Sequence, residues 1–191
     1  MRIVPKETQE GFTNNSSGSP EGISAAMKTN FPEILGYTSI NSNSQKLTVN
    51  RLSKQLAEIS TLEIDSGFFN LFDTKIIAGN PKQIIAGAKN ITLTASAVQK
   101  YFGGKDVLGS TFYNKPQEGE PEAYFVNAII EDMPHNSSVQ AEAFVLMSKV
   151  NEFNPEKSGS LQTQILLLKS TTDVNSLSTQ INRWYNTQKL D

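Results

Sequence analysis

Four groupings in this chain hold side chains of the kind that do chemistry. The single histidine, His135, lies in Met133-Pro-His-Asn-Ser, flanked by Asp132 and Ser137. A nucleophile relay needs an imidazole held between a hydroxyl and a carboxylate, and such relays are assembled across a fold, not from neighbours in one turn. The turn-like sequence favours a solvated histidine. Glu131-Asp132 and Glu63 with Asp65 are carboxylate pairs. Glycoside hydrolysis uses two such groups facing each other across a cleft. Here each pair ends a strand-like run, so solvated strand ends or loop caps are expected. Asp106 with Glu131 and Asp132 has the ligand type for calcium but no calcium-loop signature. Gly103-Gly104-Lys105 contains phosphate-loop residues in the wrong order: that loop needs its glycines before a helix, so that free amides face the phosphate. In this chain they follow a helical pattern and Asp106 comes after the lysine, which predicts a helix end. No catalytic, cofactor-binding or metal-ligating residue is assigned, and no cofactor is expected.

Composition narrows the function classes further. The 191 residues contain no cysteine and one histidine, which excludes a disulfide framework, a thiolate metal site and a multi-histidine site within one chain. A net charge of -2 gives no basic patch for displacing counterions, so nucleic acid is not an expected partner. The hydrophobic fraction of 37% and mean hydropathy of -0.35 suit an elongated domain with much exposed surface. No run approaches the roughly 18 apolar residues needed to span a bilayer, and no signal peptide is visible at Met1-Arg-Ile-Val-Pro5.

The elements that must position these residues follow from periodicity and punctuation. Arg2-Ile-Val4 reads as a strand tail and residues 13–19 as an Asn/Ser/Gly loop. Ser19-Pro20-Glu21 predicts a helix start, with a hydroxyl cap and proline in the first turn. Ile23, Ala26, Met27 and Phe31 then form one apolar stripe, ended by Pro32. Residues 37–64 predict two or three strands with a turn at 41–44. Phe68, Phe69 and Phe72 occupy a short helical turn and could present a docking patch, although a plug into the domain is favoured. A strand at 75–77 closes at Gly79-Asn80-Pro81, and residues 82–88 are expected to form a short helix. Ile91-Thr-Leu93 leads into a helix capped by Thr94, burying Ala97, Val98, Tyr101 and Phe102 and ending at Gly103. Strands at 109–113 and 122–130 are joined by a polar hairpin, 114–121. The apolar strands at 143–147 and 164–168 are expected to be central, with a loop at 151–159 between them. A last helix from Asp173 to about Thr187 turns Val174, Leu177, Ile181, Trp184 and Tyr185 inward, with Trp184 as a core anchor. The fold class expected is α+β with two lobes. Both chain ends, 1–55 plus 138–191, form an α/β lobe of split βαβ type, and 56–137 forms an inserted β-rich lobe.

The order and spacing of several short motifs resemble the MacB-type periplasmic core domain of FtsX-like ABC-transporter permeases, especially the form common in Bacteroides-like bacteria. Asp65-x-x-Phe68-Phe69-x-x-Phe72 and Ile77-x-Gly79-Asn80-Pro81 are similar to that family's "D-x-x-F-F-x-x-F" and "L-x-G-[ND]-P". Thr92-Leu-Thr94-x-x-Ala97 through Tyr101-Phe-Gly103 resembles its "L-T…A…Y-F-G" element. Asp106-x-x-Gly109 resembles "D-P-[IL]-G", with Val107 in place of proline, and Asp132-x-Pro134-x-Asn136-Ser137 resembles "D-x-P-x-N-S". Arg2-Ile3-Val4 is similar to the strand that follows the first membrane span.

The resemblance implies a non-catalytic domain in the periplasm, part of a cell inner-membrane permease, that transmits ATP-driven motion to substrate or partner handling. It implies as partners the membrane spans of the permease, a cytoplasmic ATPase subunit or domain, a second permease copy and a periplasmic partner protein. On this view the spans have been cut away, Met1 is an introduced start, and the isolated domain is expected to be a monomer. The rival expectations are a freestanding secreted or surface module that binds peptide or glycan, and an enzyme with a degenerate site around Asp132 and His135.

Overall fold

The computed structural model describes residues 6–9, 12–15, 19–41, 58–114, 120–147, 152–154 and 162–188. Arg2-Ile-Val4, all of 42–57, residues 115–119 of the expected hairpin and most of the 151–159 loop lie outside the described residues. The chain divides into two compact units, Met1–Asn41 with Lys149–Asp191, and Ser42–Ser148. With ten strands and four helices among the described residues, the α+β expectation holds.

The first unit contains an antiparallel hairpin, β1 (Lys6–Gln9) with β2 (Phe12–Asn15). Residues 13–15 were expected in a loop because nothing in them alternates, but the ladder to residues 6–8 holds them extended. Helix α1 spans Ile23–Asn30, later than Ser19-Pro20-Glu21 suggests. Its N-cap is Gly22 with no side-chain cap, because the Ser19 backbone is committed to a bridge with Gln162. At its other end Phe31 is extended, as expected for a residue before proline. Strand β3 (Ile34–Asn41) pairs antiparallel with β10 (Thr163–Leu168), and α4 (Val174–Thr187) follows. β10 has β3 as its only strand partner among the described strands, and Leu167 is exposed, so its aliphatic run is not a central strand. Ile23, Met27, Phe31, Ile34, Leu166, Leu177 and Ile181 form the core of this unit, drawn from both ends of the chain. Val174 departs from the expected inner face and is exposed. Trp184 is half-buried and makes an edge contact with Phe31 at 5.8 Å between ring centroids.

The second unit is built on a mixed sheet. Its strands are β4 (Thr61–Ile64), β5 (Ile76–Gly79), β6 (Lys89–Thr94), β7 (Thr111–Tyr113), β8 (Ala123–Ile130) and β9 (Ala143–Leu146). The order is β4-β9-β6-β8-β5, with β7 also paired to β8. β6 runs parallel to β8, and α3 (Ala95–Phe102) lies in the connection between them, so these elements form a strand–helix–strand crossover. β9 is interior, between β4 and β6. Ile91, Leu93, Val98, Tyr101, Tyr124 and Val126 pack together in the main core.

Residues 82–88 form turns and irregular chain, not the expected helix. Side chains from two strands take up the backbone groups that a helix would use. Asn127 Nδ2 donates to the carbonyls of Pro81 and Gln83 at 3.1 and 3.2 Å, and Ile85 N donates to Asn90 Oδ1 at 3.0 Å. Asn127 can reach because β8 bulges there: Ile91 pairs with Val126 and Thr92 with Ala128, leaving Asn127 unpaired in that ladder.

Candidate functional site

The motif residues from Asp65 to Ser137 lie in the second unit, and several of them have a structural task. Asp65 is buried and its Oδ1 accepts from Gly67 N at 2.9 Å, which fixes the turn into α2 (Phe68–Leu71). That turn drives Phe68 fully inside. Its ring stacks on Phe72 at 4.5 Å, meets Phe69 edge-on at 5.2 Å and leans on Phe144 at 5.0 Å. The three phenylalanines are a plug and not an exposed patch.

Gly79 has φ of +79°, and a Cβ there would lie 2.3 Å from the carbonyl oxygen of Asn127. Only glycine permits that approach. Thr94 caps α3 through Ala97 N at 3.2 Å. Gly103, at φ of +64°, closes the helix with Gly103 N on Gln99 O and Gly104 N on Val98 O. The amides of Gly103-Gly104 are therefore spent on the helix end, as the order of these residues predicts, and do not form a phosphate cradle.

Asp132 accepts from Ser96 N at 3.0 Å and from Ser96 Oγ, tying the end of β8 to the first turn of α3. These bonds hold its carboxyl below the usual range, with a smaller contribution from the nearby His135. Ser137 Oγ accepts from Val139 N, and His135 is exposed on a turn. Among the described residues no hydrogen bond joins His135 to Ser137 or Asp132, so the relay weighed from the sequence is not assembled. Asp106 accepts from Leu108 N in its own turn. Glu131 pairs with Lys75 across the β5–β8 ladder. Glu63 lies on β4 and Asp65 in the turn that follows it. Among the described residues no cluster of three or more metal-ligating side chains occurs.

Two features gave no sequence signal. Glu142 is a hub: its side chain accepts from Ser60 N, Lys100 Nζ and Tyr101 OH, and its carbonyl accepts from Thr94. Partial burial works against its charge, but the donors win and its carboxyl titrates below the usual range. The second feature is a cleft of about 210 Å³, lined by residues 72–75 on one side and by 131–134, 136 and 137 on the other. Its two walls come from the "D-x-x-F-F-x-x-F" and "D-x-P-x-N-S" segments, far apart in the chain. No helix among the described residues is long and apolar enough to cross a membrane.

No protein-family model matches the chain, and no curated protein does. Solved structures do. A domain ascribed to a permease protein from Porphyromonas gingivalis superposes with a TM-score of 0.71 at 20% identity, over 91% of this chain and 79% of that one. The periplasmic region of MacB from Actinobacillus actinomycetemcomitans gives 0.62 at 13% identity, over 91% and 76%. The extracellular domain of the noncanonic ABC-type transporter YknZ from Gram-positive bacteria gives 0.62 at 14%, over 91% and 85%. The chain shares its fold with these three domains, and it is the MacB-like fold that the motifs led us to expect.

Proposed function

We propose that this chain is the extracytoplasmic domain of an ABC-transporter permease, anchored at the cell inner membrane, and that it transmits ATP-driven motion without catalysing a reaction itself. The observation that carries this reading is the fold shared, over nine-tenths of the chain, with a permease domain, the periplasmic region of MacB and the extracellular domain of an ABC-type transporter. The motif residues support it, because those with a clear task work as turn, cap and plug. The partners on this reading are the membrane spans of the permease, a cytoplasmic ATPase, a second permease copy and a periplasmic protein.

The test is fractionation of cells carrying the native gene, with an antibody raised against this domain. The reading expects the antigen in the inner-membrane fraction, shielded from added protease until the outer membrane is opened. Antigen released free into the medium would contradict it and favour a secreted binding module.

A further inference from the structure

The cleft between residues 72–75 and 131–137 is not explained by the packing of the motifs that form it. Its volume, about 210 Å³, is below that of pockets for drug-sized molecules, roughly 300–1,000 Å³. It suits one long side chain. Phe72 and Met133 supply an apolar wall, and the carboxylates of the lining outnumber its single ammonium, on Lys75. Asp73 and Asn136 are exposed, and neither side chain has a hydrogen-bond partner among the described residues. Lys75 and Glu131 pair with each other, but both are largely exposed, at 74% and 50%, so an incoming cation can take over the Glu131 carboxylate.

We propose that this cleft receives a lysine or arginine side chain carried on an extended segment of a partner polypeptide. The aliphatic stem lies along Phe72 and Met133, as basic side chains commonly cover apolar surface. The cationic head meets Asp73 and Glu131. The Asn136 amide, which has no partner among the described residues, pairs with a peptide group of the segment, so the ligand is a peptide and not a free amine. The inference goes beyond the proposed function and stands on the cleft alone.

The experiment is a titration of the isotope-labelled chain with acetyl-Gly-Arg-Gly-amide, followed by amide NMR shifts. Saturable shifts are expected in residues 72–75 and 131–137, and not for the Gln counterpart of the peptide. The dissociation constant is expected to weaken about fivefold or more in Asp73→Asn, and similarly on raising salt to about 0.5 M. Asp73 is exposed and has no partner among the described residues, so that variant is expected to fold as the parent does. Absence of shifts, equal binding of the Gln peptide, or an unchanged constant in Asp73→Asn would overturn the proposal. Methylguanidinium binding as tightly as the peptide would overturn the assignment to a polypeptide partner.

Discussion

Glu142, Asp132 and Glu122 set how the fold responds to acid. Glu142 is held ionised by Lys100, Ser60 and Tyr101 against the cost of partial burial. Ser96 does the same for Asp132, and Lys89, with Tyr124, for Glu122. Each therefore has a folded pKa below its unfolded one. Their stabilisation is complete above the ordinary carboxylate range, about pH 5 and higher, and is lost as pH falls through the lowered folded values. Thermal unfolding followed from pH 7 to pH 3 is expected to show Tm falling below about pH 4.5, with a shallower fall in the double variant Asp132→Asn/Glu142→Gln. An identical acid profile in parent and variant would contradict this assignment. Gly79 makes a second prediction at this scale. A methyl group at Gly79 meets the Asn127 carbonyl and is strained by the positive φ, so Gly79→Ala is expected to cost about 2 kcal/mol or more by urea unfolding. A cost under about 0.5 kcal/mol would show that the turn is not fixed in this way.

Among the elements, the two units are fastened by different means. In the first, Ser24 Oγ and Ser39 Oγ both donate to Gln164 Oε1, at 2.6 and 2.7 Å, which joins α1, β3 and β10 through a buried amide. Gln164→Leu removes the acceptor that Ser24 and Ser39 share and is expected to cost about 1–3 kcal/mol, read from the denaturant midpoint. In the second, Phe68 is the aromatic centre, and Phe68→Ala is expected to cost about 3–5 kcal/mol. Equal, small losses in both variants would contradict this division. These fasteners also explain what was legible. Helix α3 could be read from sequence because its cap, apolar stripe and terminating glycine are neighbours: Thr94, Ala97, Tyr101 and Gly103. The Asp173 cap of α4 is local in the same way. The irregular path of 82–88 was not legible, because Asn127 and Asn90 dictate it from strands elsewhere. The Gln164 junction spans 125 and 140 residues of sequence and leaves no periodic trace. β2 was missed because Thr13-Asn-Asn15 has no apolar alternation and is extended only through its partner strand. The cleft was hidden for the same reason: its walls, 72–75 and 131–137, meet only after β5 pairs with β8.

For the whole molecule, the question is whether this domain moves because something else hydrolyses ATP. A lever needs firm internal fastening and no chemistry of its own, and the caps, plug and buried amides described above meet the first need. This chain has no cysteine, so a cysteine for spin labelling can be placed in it at a chosen position. If the chain is part of a permease that works in pairs with an ATPase, as proposed, then in that assembly rebuilt in lipid one label on the exposed outer face of α4 in each copy reports the separation of the two domains. The account predicts that this distance shifts by several ångströms, roughly the size of known domain rearrangements, between the nucleotide-free and the trapped ATP state. A distance distribution unchanged by nucleotide, in a transporter shown to be hydrolysing ATP, would contradict it.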